Sequence, residues 1–311
     1  MSAIAIFGEE LGPMRAARYA YRLVNVFAEG PFSGTSVAVF TDARGLDDFA
    51  MERIARELNL PQTAFVFPSE EAGGRPRVRI FTPKRELPRS GLPMIATVFA
   101  LGLDRDEPDV EHRDRVVLEQ TEGPISVAVF APVLSVRQAV PTFGGIFPER
   151  ETIAALLSLR SDHIGASPLE VASSGVPYLV VQLKSVAALG QASVREAIWE
   201  RTLRHFEAPS VLAFSLRGTD AGLLAHLRVF SPAFGLQEEA ATETACGPLV
   251  GYLVRHQLAQ LEHQRSVMLR QGQELDRPST LHVVPEFDGA RLTGLRVGGP
   301  CIVVGEGVIY A

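Results

Sequence analysis

Two stretches of the chain share one pattern, RIFTPKRELPRSGLPM at residues 79–94 and RVFSPAFGLQEEAATETACGP at residues 228–248. Each begins with arginine, a β-branched residue, phenylalanine, serine or threonine, and proline, and a small-residue turn that opens an apolar helix follows about ten residues later. Phe81 and Phe230 lie 149 positions apart, which is far beyond the period of a solenoid repeat and typical of a duplicated lobe. The pattern therefore predicts two similar lobes with a ligand site in the cleft between them.

Composition sets broad limits on the kind of protein. The 311 residues are 46% hydrophobic and 21% charged, which is typical of a globular domain with a sizeable core. A net charge of -6 argues against nucleic-acid partners, and no apolar run is long enough to predict a membrane span. Cys246 and Cys301 lack metal-ligand spacing and are expected to be inert core thiols in a reducing, cytoplasmic compartment. The first 20 residues do not have the pattern of a signal peptide.

The periodicity of the chain is mixed, with more strands than helices. An amphipathic helix is predicted over 46–60, capped by Asp47 or Asp48 and with Phe49, Ile54 and Leu58 near one face. Helices are also predicted over 92–103, 193–206 and 244–261; the first is apolar all round and should be buried. The charged stretch 104–114 is typical of an exposed loop. Strands are predicted over 20–27, 35–42, 63–67, 76–82, 115–121, 125–130, 133–140, 210–216 and 223–230, and again from 266 to the end.

Both turns end at the start of a helix, and this has a chemical consequence. Free backbone N–H groups and the positive end of the helix dipole favour a carboxylate or phosphate there. Two such helix starts facing each other could hold a small anionic ligand from both sides. A proton donor or acceptor on each face of that ligand would make a proton-shuttling isomerase or epimerase.

Several blocks in the same order resemble the phenazine-biosynthesis PhzF-like isomerases, which are relatives of diaminopimelate epimerase. The resemblance implies an α+β fold with two pseudo-symmetric lobes, each a β-sheet or barrel wrapped round a central helix. We expect lobes of 17–130 plus 298–311 and of 131–297, with the last strand returning to the N-terminal lobe. The resemblance also implies a homodimer that needs no metal or cofactor. The blocks are YRLVNVFAEGPFSGTSVAVF (21–40), MERIARELNLPQTAFVF (51–67), RIFTPKRELPRSGLPMIATVFALG (79–102), RVFSPAFGLQEEAATETACGPLVGYLVRHQ (228–257) and LRQGQELDRPSTLHV (269–283).

On the first lobe, the residues at the family's proton-transfer positions are changed. Gln62 stands where the family has its catalytic glutamate, and a neutral amide cannot exchange a proton near pH 7. Gly91 matches the family's turn glycine, whereas Leu92 stands at the histidine position. Ser90 and Thr242 match the two catalytic cysteines of the epimerase relatives, so a two-thiol mechanism is excluded.

On the second lobe, EEAATET resembles the family's E-D-x-A-T-G-S block. Glu238 and Thr242 match, Glu239 replaces aspartate, and Thr244 replaces serine. Glu243 replaces the glycine at the helix start, where it would occupy or repel from the place of a ligand carboxylate if it points into the cleft. Glu239 is the candidate proton-transfer residue. The candidate ligand-binding residues are Ser90, Gly91, Leu92, Thr242, Glu243 and Thr244.

Each candidate also has a structural interpretation. Gln62 suits a strand edge as well as a ligand contact, and Leu92 suits the core or a cleft wall. Glu239 could be a helix-start acid stabilised by the dipole. Glu86 is expected to hold the first turn by a hydrogen bond, and His256 and His263 are expected on one solvated helix face.

Two hypotheses of function follow. The chain is a divergent isomerase acting by proton transfer on a small carboxylated metabolite, or it is an inactive relative that retains the fold as a binding or regulatory protein.

Overall fold

The computed structural model describes residues 17–69, 71, 74–103, 115–130, 133–216 and 222–311. Among these residues it contains 18 strands in one hydrogen-bonded sheet system, together with six α-helices. The helices are α1 (Asp48–Leu58), α2 (Leu92–Leu103), α3 (Arg150–Leu156), α4 (Val186–Gln191), α5 (Glu196–Thr202) and α6 (Cys246–Arg255). In chain order, β1 to β9 are Arg18–Val26, Thr35–Phe40, Gln62–Phe67, Arg77–Phe81, Glu86–Leu87, Arg115–Gln120, Gly123–Phe130, Val133–Gln138 and Thr142–Ile146. β10 to β18 are Glu170–Ser173, Pro177–Gln182, Ser210–Leu216, Leu223–Ser231, Leu236–Glu239, Val267–Gln271, Ser279–Asp288, Arg291–Gly299 and Cys301–Tyr310.

The strand pairings show the duplication that the sequence predicts. One series runs β18, β1, β2, β3, β4, β6, β7, β8, with β2–β3 and β4–β6 parallel and the other neighbours antiparallel. The other series runs β9, β10, β11, β12, β13, β15, β16, β17, with β11–β12 and β13–β15 parallel. In each series a short strand, β5 or β14, pairs back on the strand that carries the Arg-x-Phe sequence. The chain therefore builds the same topology twice.

One apolar helix lies at the centre of each series. The described residues of α2 are buried or half-buried, and Met94, Ile95 and Ala96 are fully buried. In α6, Leu249, Val250 and Leu253 are also fully buried. Both helices contribute to one hydrophobic cluster with the strands around them, as an all-apolar helix should. The predicted helix over 92–103 is confirmed at both ends.

Further helices cross between parallel strands on the outer face of each series. Between β2 and β3 lies α1, where the Asp47 side chain accepts a 2.8 Å hydrogen bond from Ala50 N and Asn59 ends the helix in the left-handed region. Between β11 and β12 lie α4 and α5, which pack on a second hydrophobic cluster. Parallel neighbours need such crossovers, since a tight turn can join only antiparallel strands.

The two series join at two places. β8 pairs with β17 over five residues, so the sheet continues from one series into the other. The C-terminal strand β18 pairs with β1, which confirms that the last strand returns to the first lobe. The boundaries of the lobes at 130/131 and 297/298 stay predictions.

Four expectations differ from the structure, and one lies outside the described residues. The helix predicted over 193–206 covers only Glu196–Thr202. The helix predicted over 244–261 ends at Arg255, because Gln257 adopts a left-handed φ of 54°. His256 therefore leaves the predicted solvated face and hydrogen-bonds the buried Glu170 carboxylate at 2.6 Å. In α1 the buried face is Met51, Ile54 and Ala55, while Phe49 is 64% exposed. The loop predicted over 104–114 lies outside the described residues.

Candidate active site

The turn before α2 is held by two glutamine side chains. Ser90 Oγ donates to Gln62 Oε1 at 2.9 Å, so Gln62, the first residue of β3, contacts the turn directly. Gln120, at the end of β6, donates from Nε2 to Ser90 O at 2.8 Å and accepts from Ser90 N at 3.4 Å. Ser90 and Gln62 therefore form one polar group at the edge of the first lobe.

The turn before α6 has a matching arrangement. Gln271, at the end of β15, accepts from Thr242 N at 3.0 Å and donates from Nε2 to Thr242 Oγ1 at 3.0 Å. Since Thr242 Oγ1 accepts that bond, its own proton is directed to Glu239 Oε2, 2.9 Å away. The second lobe thus presents a carboxyl group where the first lobe presents the amide of Gln62.

Each turn is supported by an arginine on the neighbouring strand. Arg79 of β4 binds both carboxylate oxygens of Glu86, at 2.8 and 2.7 Å. Arg228 of β13 does the same to Glu238, at 2.8 and 2.5 Å. Such bidentate pairs fix the geometry of both partners. Glu86 and Glu238 are therefore held as ion-pair partners of the strands that precede the turns.

Glu243 connects the two lobes. A Cβ atom on Gly91 would lie 2.8 Å from Glu243 Oε2 and 3.0 Å from its Cδ, so the carboxyl group lies against the first-lobe turn. The Glu243 side chain is buried, and Gln138 Nε2 donates to its Oε1 at 2.5 Å. A side chain at position 91 would therefore displace the Glu243 carboxyl group from its place against the turn. The sequence left the direction of Glu243 open, and in the structure its carboxyl group lies against Gly91 of the first-lobe turn.

Burial changes the protonation of these groups. Desolvation raises the pKa of Glu239, partly offset by the hydrogen bond from Thr242. Desolvation likewise raises the pKa of Glu243, which the hydrogen bond from Gln138 and the charge of Arg89 partly oppose. Both carboxyl groups are therefore easier to protonate than exposed glutamates, which suits proton exchange with a ligand.

Thr244 and Tyr178 extend the second-lobe group. Their hydroxyl oxygens lie 2.7 Å apart, and Thr244 is half-buried whereas Tyr178 is buried. Burial, and then the charge of Glu239, raises the pKa of Tyr178 well above its ordinary value. Tyr178 is therefore a neutral hydroxyl at neutral pH.

Other predicted residues lie in apolar surroundings. Leu92 is the first residue of α2, is 6% exposed and belongs to the main hydrophobic cluster. This agrees with its interpretation as a core residue. Cys246 is buried, and desolvation raises its pKa well above the ordinary value. Desolvation also raises the pKa of Cys301 to about 12. Both thiols are accordingly protonated and unreactive at neutral pH.

A cavity of about 380 Å³ lies beside Arg89, and residues of β7, β8 and β17 line it. Arg89 and Gln138 form part of its wall, so it adjoins both the residue before Ser90 and the hydrogen-bond partner of Glu243. The candidate residues from the sequence do not line it. The full lining is Arg89, Pro124, Ile125, Ser126, Arg137, Gln138, Ala139 and Thr293.

Sequence reasoning missed the polar residues that support the turns. Gln120 and Gln271 lie 151 positions apart, close to the spacing of Phe81 and Phe230, so the duplication itself could have revealed them. Gln138 and Tyr178 carry no such signal. Within the described part of the chain, no group of three or more His, Cys, Asp or Glu side chains could hold a metal ion. No helix there is long and apolar enough to cross a membrane.

Comparison with known proteins agrees with this geometry. A trans-2,3-dihydro-3-hydroxyanthranilate isomerase from Pseudomonas aeruginosa is 34% identical over 297 residues, covering 94% of this chain and 99% of the relative. The crystal structure of a Bacillus anthracis phenazine biosynthesis protein of the PhzF family superposes with a TM-score of 0.84 at 23% identity, covering 95% of this chain and all of the other. A hydroxyproline epimerase from Agrobacterium vitis superposes with a TM-score of 0.59 at 12% identity, covering 95% and 92% of the two chains.

These likenesses confirm the diaminopimelate epimerase-like fold class. Residues 24–307 match the PhzC-PhzF family, described as phenazine biosynthesis-like protein. The duplicated topology and the two facing turns are thus found in a chain that is similar throughout to isomerases. The chain belongs to the PhzF-like isomerase family.

Proposed function

We propose that this chain is a divergent isomerase that moves a proton within a small metabolite bound between the two turns, with Glu239 as the proton-transfer group. The observation that carries the proposal is the fixed Thr242–Glu239 hydrogen bond at the second turn, on a carboxyl group whose pKa is raised by burial. A raised pKa brings the two protonation states of this carboxyl group closer in free energy at neutral pH, which suits a group that gives and takes a proton. The sequence predicted a carboxylated, anionic ligand, and that expectation stays a prediction.

The residues around Glu239 have distinct tasks in this proposal. Gln271 orients the Thr242 hydroxyl, and Thr242 in turn holds one carboxyl oxygen of Glu239. Thr244 presents a hydroxyl group that is held by the neutral Tyr178. On the opposite turn, Gln62 and Ser90 supply hydrogen bonds without exchanging protons. A bound ligand would therefore meet a proton-transfer face and a positioning face.

We do not expect the reaction named for the Pseudomonas relative at a comparable rate. Gln62 stands at the family's glutamate position, and losing one proton-transfer group costs about 10²–10⁴ in rate. The reaction that remains would use Glu239 and a different partner.

A second candidate function is binding without catalysis. It is favoured by the first lobe, where an amide at Gln62 and the buried Leu92 occupy both proton-transfer positions of the family. A protein of this kind would keep the fold as a small-molecule-binding or regulatory module. The homodimer and the cytoplasmic location stay predictions from the sequence.

Hydrogen exchange with solvent separates the two functions. The protein is incubated in D₂O with a panel of amino acids, hydroxy acids and trans-2,3-dihydro-3-hydroxyanthranilate, and deuterium incorporation is followed by NMR. We expect exchange with at least one compound, lowered about 10²-fold or more in Glu239→Gln, because the amide cannot transfer the proton. Glu262→Gln, a change on the exposed surface, serves as the matched control.

Three outcomes would count against the proposal in different ways. Exchange that survives Glu239→Gln shows that another group transfers the proton. No exchange with any compound, together with a thermal shift on binding, supports the binding module. If both exchange and a thermal shift are absent, the protein has no site for these compounds, whether as an isomerase or as a binding module.

A further inference from the structure

The most unusual feature of the site is that a protein carboxyl group lies at the start of α2. Gly91 O accepts the first hydrogen bonds of this helix, from Met94 N at 3.0 Å and Ile95 N at 3.2 Å, so Gly91 lies immediately before its first residue, Leu92. The carboxyl group of Glu243, from the other turn, lies against Gly91. The positive end of a 12-residue helix is therefore already next to an anionic group of the protein.

The Glu243 carboxyl group is held in this place. Gln138 Nε2 donates both to Glu243 Oε1 at 2.5 Å and to Glu243 O at 2.7 Å. The other end of the same amide is fixed, because Gln138 Oε1 accepts from Gly247 N at 3.0 Å. Only 5% of Glu243 is exposed, so moving the side chain away would break a buried hydrogen bond.

The charges nearby decide what a ligand can present here. A ligand carboxylate placed at the start of α2 would meet the ionised form of Glu243 at close range. Two like charges at such a distance disfavour each other strongly, so binding would require one of the two carboxyl groups to take up a proton. Glu239 lies on the same lobe and adds to the acidic character of the site. Arg89 is the cation whose charge acts on Glu243, and its own side chain is exposed. An amino or hydroxyl group, in contrast, could donate a hydrogen bond to Glu243.

We propose that Glu243 determines ligand specificity, selecting a ligand that turns a hydrogen-bond donor toward the start of α2 and excluding a carboxylate from that position. The anionic ligand predicted from the sequence would then carry its carboxylate elsewhere, and its polar group at this end would be an amine or a hydroxyl. The inference rests on the site of the proposed function but not on its chemistry, since it concerns binding alone.

Two probes that differ by one carboxylate test the inference. 3-Hydroxyanthranilate is a stable aromatic compound with the substituents in the name of the Pseudomonas relative's substrate, and 2-aminophenol is the same ring without the carboxylate. Affinities are measured by titration calorimetry on the whole chain for the wild type, Glu243→Gly, Glu243→Gln and the control Glu262→Gln. Glu243→Gln keeps the size of the side chain and removes its charge, so it serves where Glu243→Gly fails to fold.

We expect the wild type to bind 2-aminophenol about tenfold or more tightly than 3-hydroxyanthranilate, and Glu243→Gly to reverse this order. Glu243→Gln should gain at least about tenfold in affinity for 3-hydroxyanthranilate, because the repulsion is removed. If the wild type binds neither probe, the same gain in the variants decides in favour of the inference. It is overturned if neither variant gains affinity for the carboxylate probe, or if the wild type already prefers it. If no compound exchanges protons but the Glu243 variants still gain affinity for 3-hydroxyanthranilate, the isomerase is rejected and the role of Glu243 in specificity is retained.

Discussion

The two turns of this protein share a scaffold and differ in chemistry. On both sides an arginine binds a glutamate through two hydrogen bonds and lies over a phenylalanine ring, at 5.2 Å for Arg79 over Phe81 and 4.9 Å for Arg228 over Phe230. The proton-transfer groups are not duplicated in this way, because the hydroxyl group of the first turn contacts the amide of Gln62, whereas that of the second contacts the carboxyl group of Glu239. Backbone support and chemistry can therefore differ independently within one duplicated fold.

The two arginine pairs also differ in burial, and this predicts the largest difference in stability. Arg228 and Glu238 have side chains 7% and 8% exposed, and Arg228 also donates to three backbone carbonyls. Arg228→Met should therefore lower the free energy of unfolding by about 3–5 kcal/mol, because it leaves a buried carboxylate without a partner. Arg79→Met is the matched variant and should lower it by about 1 kcal/mol, since Glu86 is partly exposed.

Urea unfolding followed by circular dichroism measures both variants. Equal losses would show that the two pairs contribute alike and that their burial does not matter. A larger loss for Arg79→Met would reverse the comparison altogether.

The glutamines behind the turns give a smaller test of the same kind. Gln271 makes three hydrogen bonds, to Thr242 N, Thr242 Oγ1 and Glu239 O, and it is fully buried. Gln271→Leu should lower the free energy of unfolding by about 2 kcal/mol, because a buried N–H group loses its acceptor. Gln120→Leu should lower it by about 1 kcal/mol, since one of its two bonds is long at 3.4 Å.

The exchange assay adds a functional measurement to this pair. Gln271→Leu should also lower proton exchange, because Thr242 is no longer oriented toward Glu239. Gln120 supports only the positioning face, so Gln120→Leu should leave most of the proton exchange. Equal effects of the two variants on exchange would contradict the assignment of the proton-transfer face to the second lobe.

The smallest expected effect is on the pH dependence of stability. The folded protein raises the pKa of Glu243, so above the ordinary value of that carboxyl the native state binds more protons than the unfolded state. Stability from this group is present at lower pH and is lost as the pH rises through the folded pKa. Glu243→Gln removes this pH-dependent contribution to stability. As the pH rises from about 4.5 to 7, the melting temperature of the variant should therefore fall less than that of the wild type.

Melting temperatures of the wild type, Glu243→Gln and Glu262→Gln over this pH range measure the difference. Glu262 is exposed, and its substitution should leave the wild-type pH dependence nearly unchanged. An unchanged pH dependence in Glu243→Gln as well would mean that Glu243 titrates as it does in the unfolded chain.

The sequence predicted the duplicated fold well, because the pattern that encodes it is local. The helix over 92–103 could be located at both ends, since an uninterrupted apolar run follows the turn at Gly91. The end of α6 could not, because Gln257 takes a left-handed conformation that no glycine or proline announces.

The candidate site was predicted only in part, for a different physical reason. The residues of each turn are neighbours in the chain, so Ser90 and Gly91, or Thr242 and Glu243, could be found from the pattern. The direction of Glu243 and its partner Gln138 depends on how the lobes pack, and these residues are 105 positions apart. Such contacts have no local signal in a single sequence.

The return of β18 to β1 has a consequence for the order in which the chain folds. Arg18 pairs with Tyr310, so β1 has only β2 beside it until the ribosome has delivered the last strand. Strands β10 to β16 find their partners among one another and can pair before residues 301–310 emerge. Contacts of such large sequence separation form slowly, because the intervening chain must be ordered first. The sheet around β1 is therefore complete only once residues 301–310 have paired with it.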